Sequence, residues 1–148
     1  MKIALACDHA GYRLKEEIKS YLERKGYEPV DFGTFTEERM DYPDTVKLAA
    51  RAVGGGECPM GVLVCASGIG ASIVANKIRG VRAVLCLDEY TAEFSRRHND
   101  ANMLALAGKR NTMTDVSRFL DLWLSTPFDG GRHKDRVEKI TNIEKEES

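Results

Sequence analysis

Short apolar runs alternate with stretches of helical periodicity five times along this chain, and that alternation restricts its fold more than any other feature. The runs cover residues 3–7, 28–32, 60–65, 82–87 and 103–107, and the spacing predicts helices over 12–25, 43–53, 70–78, 89–98, 114–125 and 132–144. Leu14, Ile18, Tyr21 and Leu22 share one face of the first helix, with Gly26 where a C-terminal cap belongs. Pro43 suits a first helical turn, Gly54-Gly55-Gly56 ends that helix, and Thr114 is placed to cap the fifth. Strand followed by helix, repeated, builds a parallel sheet covered on both faces, with right-handed crossovers. The expected fold is α/β: a single-domain three-layer α/β/α sandwich on a five-stranded, parallel, Rossmann-like sheet. One domain spans 1–148, with 144–148 a frayed tail.

Bulk properties remove several function classes. A net charge of -1 gives no electrostatic reason for a nucleic-acid or membrane-surface partner. No apolar run approaches the ~20 residues that span a bilayer. The first apolar run is short and ends at Asp8, so it reads as a buried strand rather than a leader. The cysteines at 7, 58, 65 and 86 fit no C-x-x-C or zinc-ribbon spacing. A reduced, cytoplasmic protein is the simpler expectation, its thiols being core filler or chemistry.

In parallel sheets, ligands sit beyond the carboxyl ends of the strands. Asp8-His9-Ala10-Gly11 follows the first strand, Asp41-Tyr42-Pro43-Asp44 lies in the loop after the second, and Cys65-Ala66-Ser67-Gly68-Ile69-Gly70 follows the third. Arg97-His98-Asn99-Asp100 ends the helix after the fourth, and Gly108-Lys109-Arg110-Asn111 follows the fifth. All five segments are expected at one sheet edge. Gly68 and Gly70 let the backbone turn tightly and present N–H groups at a helix start, where an anion is favoured. A thiolate at Cys65 beside such a hole can take a carbon-bound proton while the N–H groups hold the enediolate charge. Ser67 can relay a proton or polarise a carbonyl. Cys65 as an inert strand-end residue is equally compatible with the segment alone. Gly68-x-Gly70 also mimics a dinucleotide fingerprint, but Ile73 stands at the third glycine position.

His9 and His98 bring possible acid–base groups to the same expected edge. Asp8 can orient a histidine, bind sugar hydroxyls or simply cap the next helix. Arg132 and Arg136, four apart, share a helix face and can clamp a phosphate, or form a solvated charged face.

Five pieces in order carry a resemblance: Asp8-His9-Ala10-Gly11, Asp41-Tyr42-Pro43, Cys65-x-Ser67-Gly68-Ile69-Gly70, His98-Asn99-Asp100-Ala101-Asn102 and Gly131-Arg132-His133-x-x-Arg136. Together they resemble the type B ribose-5-phosphate isomerases, in the group that includes galactose-6-phosphate isomerases. The resemblance implies an aldose–ketose isomerase of the non-oxidative pentose phosphate branch, interconverting ribose 5-phosphate and ribulose 5-phosphate through an enediolate. It implies Cys65 as the proton-transferring base, His98 as the group that opens the furanose ring, and Asp8 and Ser67 in support. Substrate contacts are implied for Asp8, His9 (toward the phosphate), Tyr42, Asn99 and the loop Ala66, Ser67, Gly68, Ile69 and Gly70. Arg132 and Arg136 resemble phosphate ligands that reach the site from a neighbouring subunit of a homodimer or tetramer, with the C-terminal helix packing on the partner. No metal or organic cofactor is implied. Relatives commonly carry Thr at the position of Ser67, which keeps the hydroxyl, and Arg at Lys109, which keeps charge without the planar fork; Arg110 stands next to it. One branch replaces the cysteine by a downstream carboxylate, and 71–78 here contains no acid. Three alternatives stay open at this stage. They are the same chemistry on allose or galactose 6-phosphate, a noncatalytic phosphosugar-binding module, and a thiol or metal site from Cys7, His9, Cys65 and His98.

Overall fold

The computed structural model describes residues 1–148. In chain order the elements are β1 (Lys2–Cys7), α1 (Tyr12–Arg24), β2 (Glu28–Asp31), α2 (Tyr42–Gly54), β3 (Met60–Cys65), α3 (Ile69–Ala75), β4 (Ala83–Leu85), α4 (Glu89–Asn99), β5 (Met103–Ala107), α5 (Met113–Ser125) and α6 (Arg132–Glu146), with a 3-10 turn at His9–Gly11. The five strands form one parallel sheet in the order β2-β1-β3-β5-β4, as the alternation predicts.

The central strands are apolar throughout because the sheet is covered on both faces. Alternate residues feed two cores. Ile3, Leu5, Val62, Val64, Leu104 and Leu106 pack under α1, α4 and α5, with Trp123 among them. Ala4, Ala6, Leu63, Cys65, Met103 and Ala105 pack under α2 and α3, whose contact faces are mostly alanine and valine. Small residues there let those helices approach closely. No helix is long and apolar enough to cross a membrane.

Several boundaries differ from the sequence reading. β4 is confined to Ala83–Leu85 because it is the edge strand; Cys86 makes one last bond to Ala105 O and the chain turns out, leaving Leu87 67% exposed. The residue at the N-cap position of α5 is Thr112, not Thr114, and its side chain makes no capping bond. α3 begins at Ile69 and ends three residues before 78. α6 runs on to Glu146, where a frayed tail is expected, because the Glu144 carboxylate accepts the Gly80 N–H at 3.2 Å and ties the last turn to the loop before β4.

One ion pair anchors the loop between β2 and α2. Lys15 is 1% exposed, and its ammonium donates to both Asp31 oxygens (2.7 and 2.8 Å) and to Thr34 O (2.7 Å). Asp31 also accepts the Gly33 N–H (2.9 Å), and Lys19 adds a weaker contact at 3.3 Å. Removing one partner of a buried pair strands the other charge. Lys15→Met is therefore expected to cost about 3 kcal/mol of stability, read as a lowered urea midpoint at unchanged m-value; a midpoint within error of wild type would contradict this account.

Candidate active site

The strand order reverses between β1 and β3, and most of the expected site residues gather where those two strands end. Register sets this directly: Cys7 pairs with Val64, so Asp8 follows one strand as Cys65 closes the other, and Asp8 N donates to Val64 O at 3.2 Å. The Asp8 carboxylate, 6% exposed, accepts from Ala10 N (3.0 Å) and Gly11 N (3.1 Å), which makes it the cap of the 3-10 turn that carries His9. The His9 Nδ1 lies 3.2 Å from the backbone of Met40, and so steadies the loop leading to Tyr42. Thr45 in the first turn of α2 donates to Cys7 O at 2.7 Å, pinning Tyr42 to the same edge.

Cys65 is 3% exposed, and its sulfur accepts the Gly68 N–H at 3.2 Å, a contact that negative charge on sulfur strengthens. Gly68 holds φ +79°, and a Cβ there would meet Leu85 at 2.7 Å and the Leu106 backbone at 3.0 Å, so both conformation and space demand glycine. Ile69 N donates to the exposed Ser67 hydroxyl at 3.2 Å. Tyr42 lies over Gly70, where a methyl would meet the phenol oxygen at 2.5 Å. From β5, Gly108 N bonds Cys65 O (2.7 Å) and Lys109 N bonds Ala66 O (3.1 Å), placing the exposed Lys109 and Arg110 beside the same turn. Asp8, His9, Tyr42, Ala66–Gly70, Cys65 and Lys109 thus form one cluster.

The other thiols are core groups. Burial pushes the Cys7 and Cys86 thiols up to about 12, and burial also raises Cys58.

His98 and Asn99 do not join this cluster, which corrects the expectation of a single edge. A helix that follows a parallel strand runs back antiparallel to it, so the end of α4 lies where β5 begins, at the amino edge. The hydrogen bonds agree: Arg82, just before β4, donates to Asn99 O (2.9 Å) and Asp100 O (2.9 Å), and Asn102 O accepts from Gly61 N at the start of β3 (2.9 Å). Asp100 takes a left-handed conformation (φ 47°) that ends α4, and Arg96 holds its carboxylate at 2.8 Å. Cys65 and His98 are therefore separated by at least the length of β3, roughly 16 Å. The proposed convergence of Cys7, His9, Cys65 and His98 on a metal fails for the same reason.

Arg132 and Arg136 belong with His98. α6 starts against the end of α4, where Asp129 N bonds Arg97 O (3.0 Å) and the Arg97 guanidinium faces the Asp129 carboxylate (3.3 Å). The His98 ring lies flat on His133, with centroids 4.1 Å apart and planes at 9°, and takes Phe94 edge-on at 5.0 Å. His98, Asp129 and His133 bring ligand-type atoms within 4.8 Å of one another, but parallel stacked rings point their lone pairs in separate planes, so this geometry is a packed pair rather than a metal centre. Phe94 was not singled out from the sequence, and His133 appeared there only within a motif, without a role of its own. The signal was there in Tyr90, Phe94 and His98, spaced by four along one helix face.

One chain thus carries two clusters at opposite sheet edges: a thiol on the N–H of a glycine turn, and a histidine with two exposed arginines. That combination on an open parallel sheet defines a class, α/β proteins equipped to hold a small anion and move its protons. The sequence profile of the Ribose/Galactose Isomerase family matches residues 3–140, and the chain belongs to that family. Ribose-5-phosphate isomerase B of Escherichia coli is 47% identical over 143 residues, which cover 97% of this chain and 96% of that one. A solved structure of Clostridium thermocellum ribose-5-phosphate isomerase B superposes with a TM-score of 0.98 at 48% identity over 100% of both chains. The Mycoplasma genitalium enzyme with bound ribulose-5-phosphate reaches 0.94 at 37% identity, over 98% of this chain and 97% of that one.

Proposed function

We propose that the protein interconverts ribose 5-phosphate and ribulose 5-phosphate, as the names of these relatives state for them, at sites completed between two copies of the chain. The single observation that carries the chemistry is the Cys65 sulfur held at the end of β3 on the Gly68 N–H. In this reading His98 gives a proton to the ring oxygen O4 as the C1–O4 bond breaks, and the O1 hydroxyl proton passes to water, leaving the open-chain aldehyde. Cys65 then takes the C2 proton, the C1 carbonyl electrons move onto O1, and the backbone N–H groups of 66–70 hold the resulting enediolate. The O2 proton passes to O1, with the Ser67 hydroxyl as relay, and Cys65 returns its proton to C1, leaving the ketose. Arg132 and Arg136 grip the phosphate, with His9 and Lys109. Asp8, Tyr42 and Asn99 contact hydroxyls.

The split geometry supports the two-copy part. Cys65 and His98 cannot meet on one sugar within one chain, so His98, Asn99, Arg132 and Arg136 come from the partner, whose α6 lies over the neighbouring cleft. In this reading the reaction needs no metal or cofactor, because His98, Cys65 and Ser67 carry the proton transfers. Deuterium incorporation at C2, measured over five- and six-carbon aldose phosphates, tests the substrate. Ribose 5-phosphate is expected to exchange fastest; faster exchange of allose or galactose 6-phosphate, or binding without exchange, would replace this reading.

A further inference from the structure

Neither ring nitrogen of His98 is fixed by a hydrogen bond, so ring packing alone sets the plane of this imidazole. Phe94 supplies one contact, four residues earlier on α4. The other comes from His133, which is only 9% exposed although its neighbours Arg132 and Lys134 are open to solvent. His133 is the one residue of α6 that is buried. Its delivery is specific: Gly130 and Gly131 take φ of +69° and +56°, and the Asp129–Arg97 contacts anchor the turn, so that the first residues of α6 swing over the end of α4.

We propose that His133 is the positioning residue of His98, a flat face that holds the ring-opening imidazole in one plane and leaves its nitrogens free for the sugar. The inference rests on the reading of His98 given above. Burial first, then the charges of His98, Arg132 and Arg136, hold the His133 imidazole below the ordinary histidine range, with Asp129 opposing. An uncharged His133 does not oppose a proton on His98, whereas a second imidazolium in a parallel stack would. The stack explains why a histidine with no polar partner keeps one orientation at the end of a helix. It also assigns a use to the paired glycines, which the phosphate clamp by itself does not require.

The test separates ring opening from proton transfer. Ribulose 5-phosphate carries its phosphate on O5 and has no hydroxyl with which to close a furanose, so its conversion does not need His98. His133→Ala is expected to lower initial turnover of ribose 5-phosphate on the order of tenfold, the size of effect that misplacing a catalytic group produces, while turnover of ribulose 5-phosphate stays within about twofold. His133→Phe restores a flat uncharged face and is expected to recover most of the loss, which also guards against an alanine variant that folds poorly. Equal losses from both substrates, or a phenylalanine variant as impaired as alanine, would overturn the proposal. His98→Ala is the reference: if it shows no difference between the two substrates, the assignment of His98 falls and this one with it, whereas a split at His98 without one at His133 overturns His133 alone.

Discussion

Exchanging Cys65 for alanine is expected to reduce isomerisation by a factor of about 10²–10⁴, the usual worth of a positioned general base, while sugar-phosphate affinity stays within about threefold. The two halves of that expectation have different causes. A base acts on the C2 proton only as the transition state forms, so its loss appears in turnover. In the proposed reading affinity comes from the backbone N–H groups of the turn and from the arginines, which the substitution leaves in place. Cys65→Ser separates chemistry from packing: it keeps the volume and the Gly68 contact, but a hydroxyl is far too weak an acid to cycle as a base near neutral pH, so its loss should match that of alanine. Cys7, Cys58 and Cys86 are suitable controls, since burial raises each thiol and none lies on the turn. Near-normal turnover in Cys65→Ala, measured alongside C2 deuterium exchange, would remove the thiol from the mechanism.

Mixing two inactive variants is expected to restore activity. In the proposed reading Cys65→Ala damages one half-site and His98→Ala the other, at opposite edges of the same sheet. If each site takes its thiol from one copy and its histidine from the partner, a mixed dimer has one doubly damaged site and one intact site. An equal mixture, allowed to dissociate and reassociate, then holds half mixed dimers and should recover about one quarter of wild-type turnover of ribose 5-phosphate. Arg132→Ala combined with Arg136→Ala should complement Cys65→Ala in the same way, but should not complement His98→Ala, because those residues share a half. A mixture no more active than its components would mean that both halves act within one chain, against the separation of roughly 16 Å that β3 imposes.

The sheet was legible because its signals are local. Met60–Cys65 and Met103–Ala107 are apolar runs of strand length, and both strands occupy those residues in the structure. The cluster of Asp8, Cys65 and the glycine turn was legible too, because each residue directly follows a strand in the sequence, and parallel strands all end at one edge. His98 was misplaced for a physical reason: it follows a helix rather than a strand, and helix length carries it back across the sheet. Counting α4 through its three turns would have returned it to the amino edge. His133 was legible only as a member of the Gly131-Arg132-His133-x-x-Arg136 motif, without a role. It lies in a charged helix that reads as solvated, and only the packing of α6 on α4 shows it buried against His98.

The amino-acid sequence by itself determined the layered fold, the family and the chemical types at hand: a thiol, a glycine turn, histidines and a pair of arginines four apart. These follow from periodicity, capping and residue chemistry, which act over a few residues. Tertiary structure alone decided which of those groups can share a substrate. The strand order put Asp8 beside Cys65 across 57 residues of sequence, sent His98 and the arginines to the far edge, and laid His133 on His98. Such pairings depend on the direction in which each element runs and on which neighbour it packs against, and neither is written in any short stretch of chain.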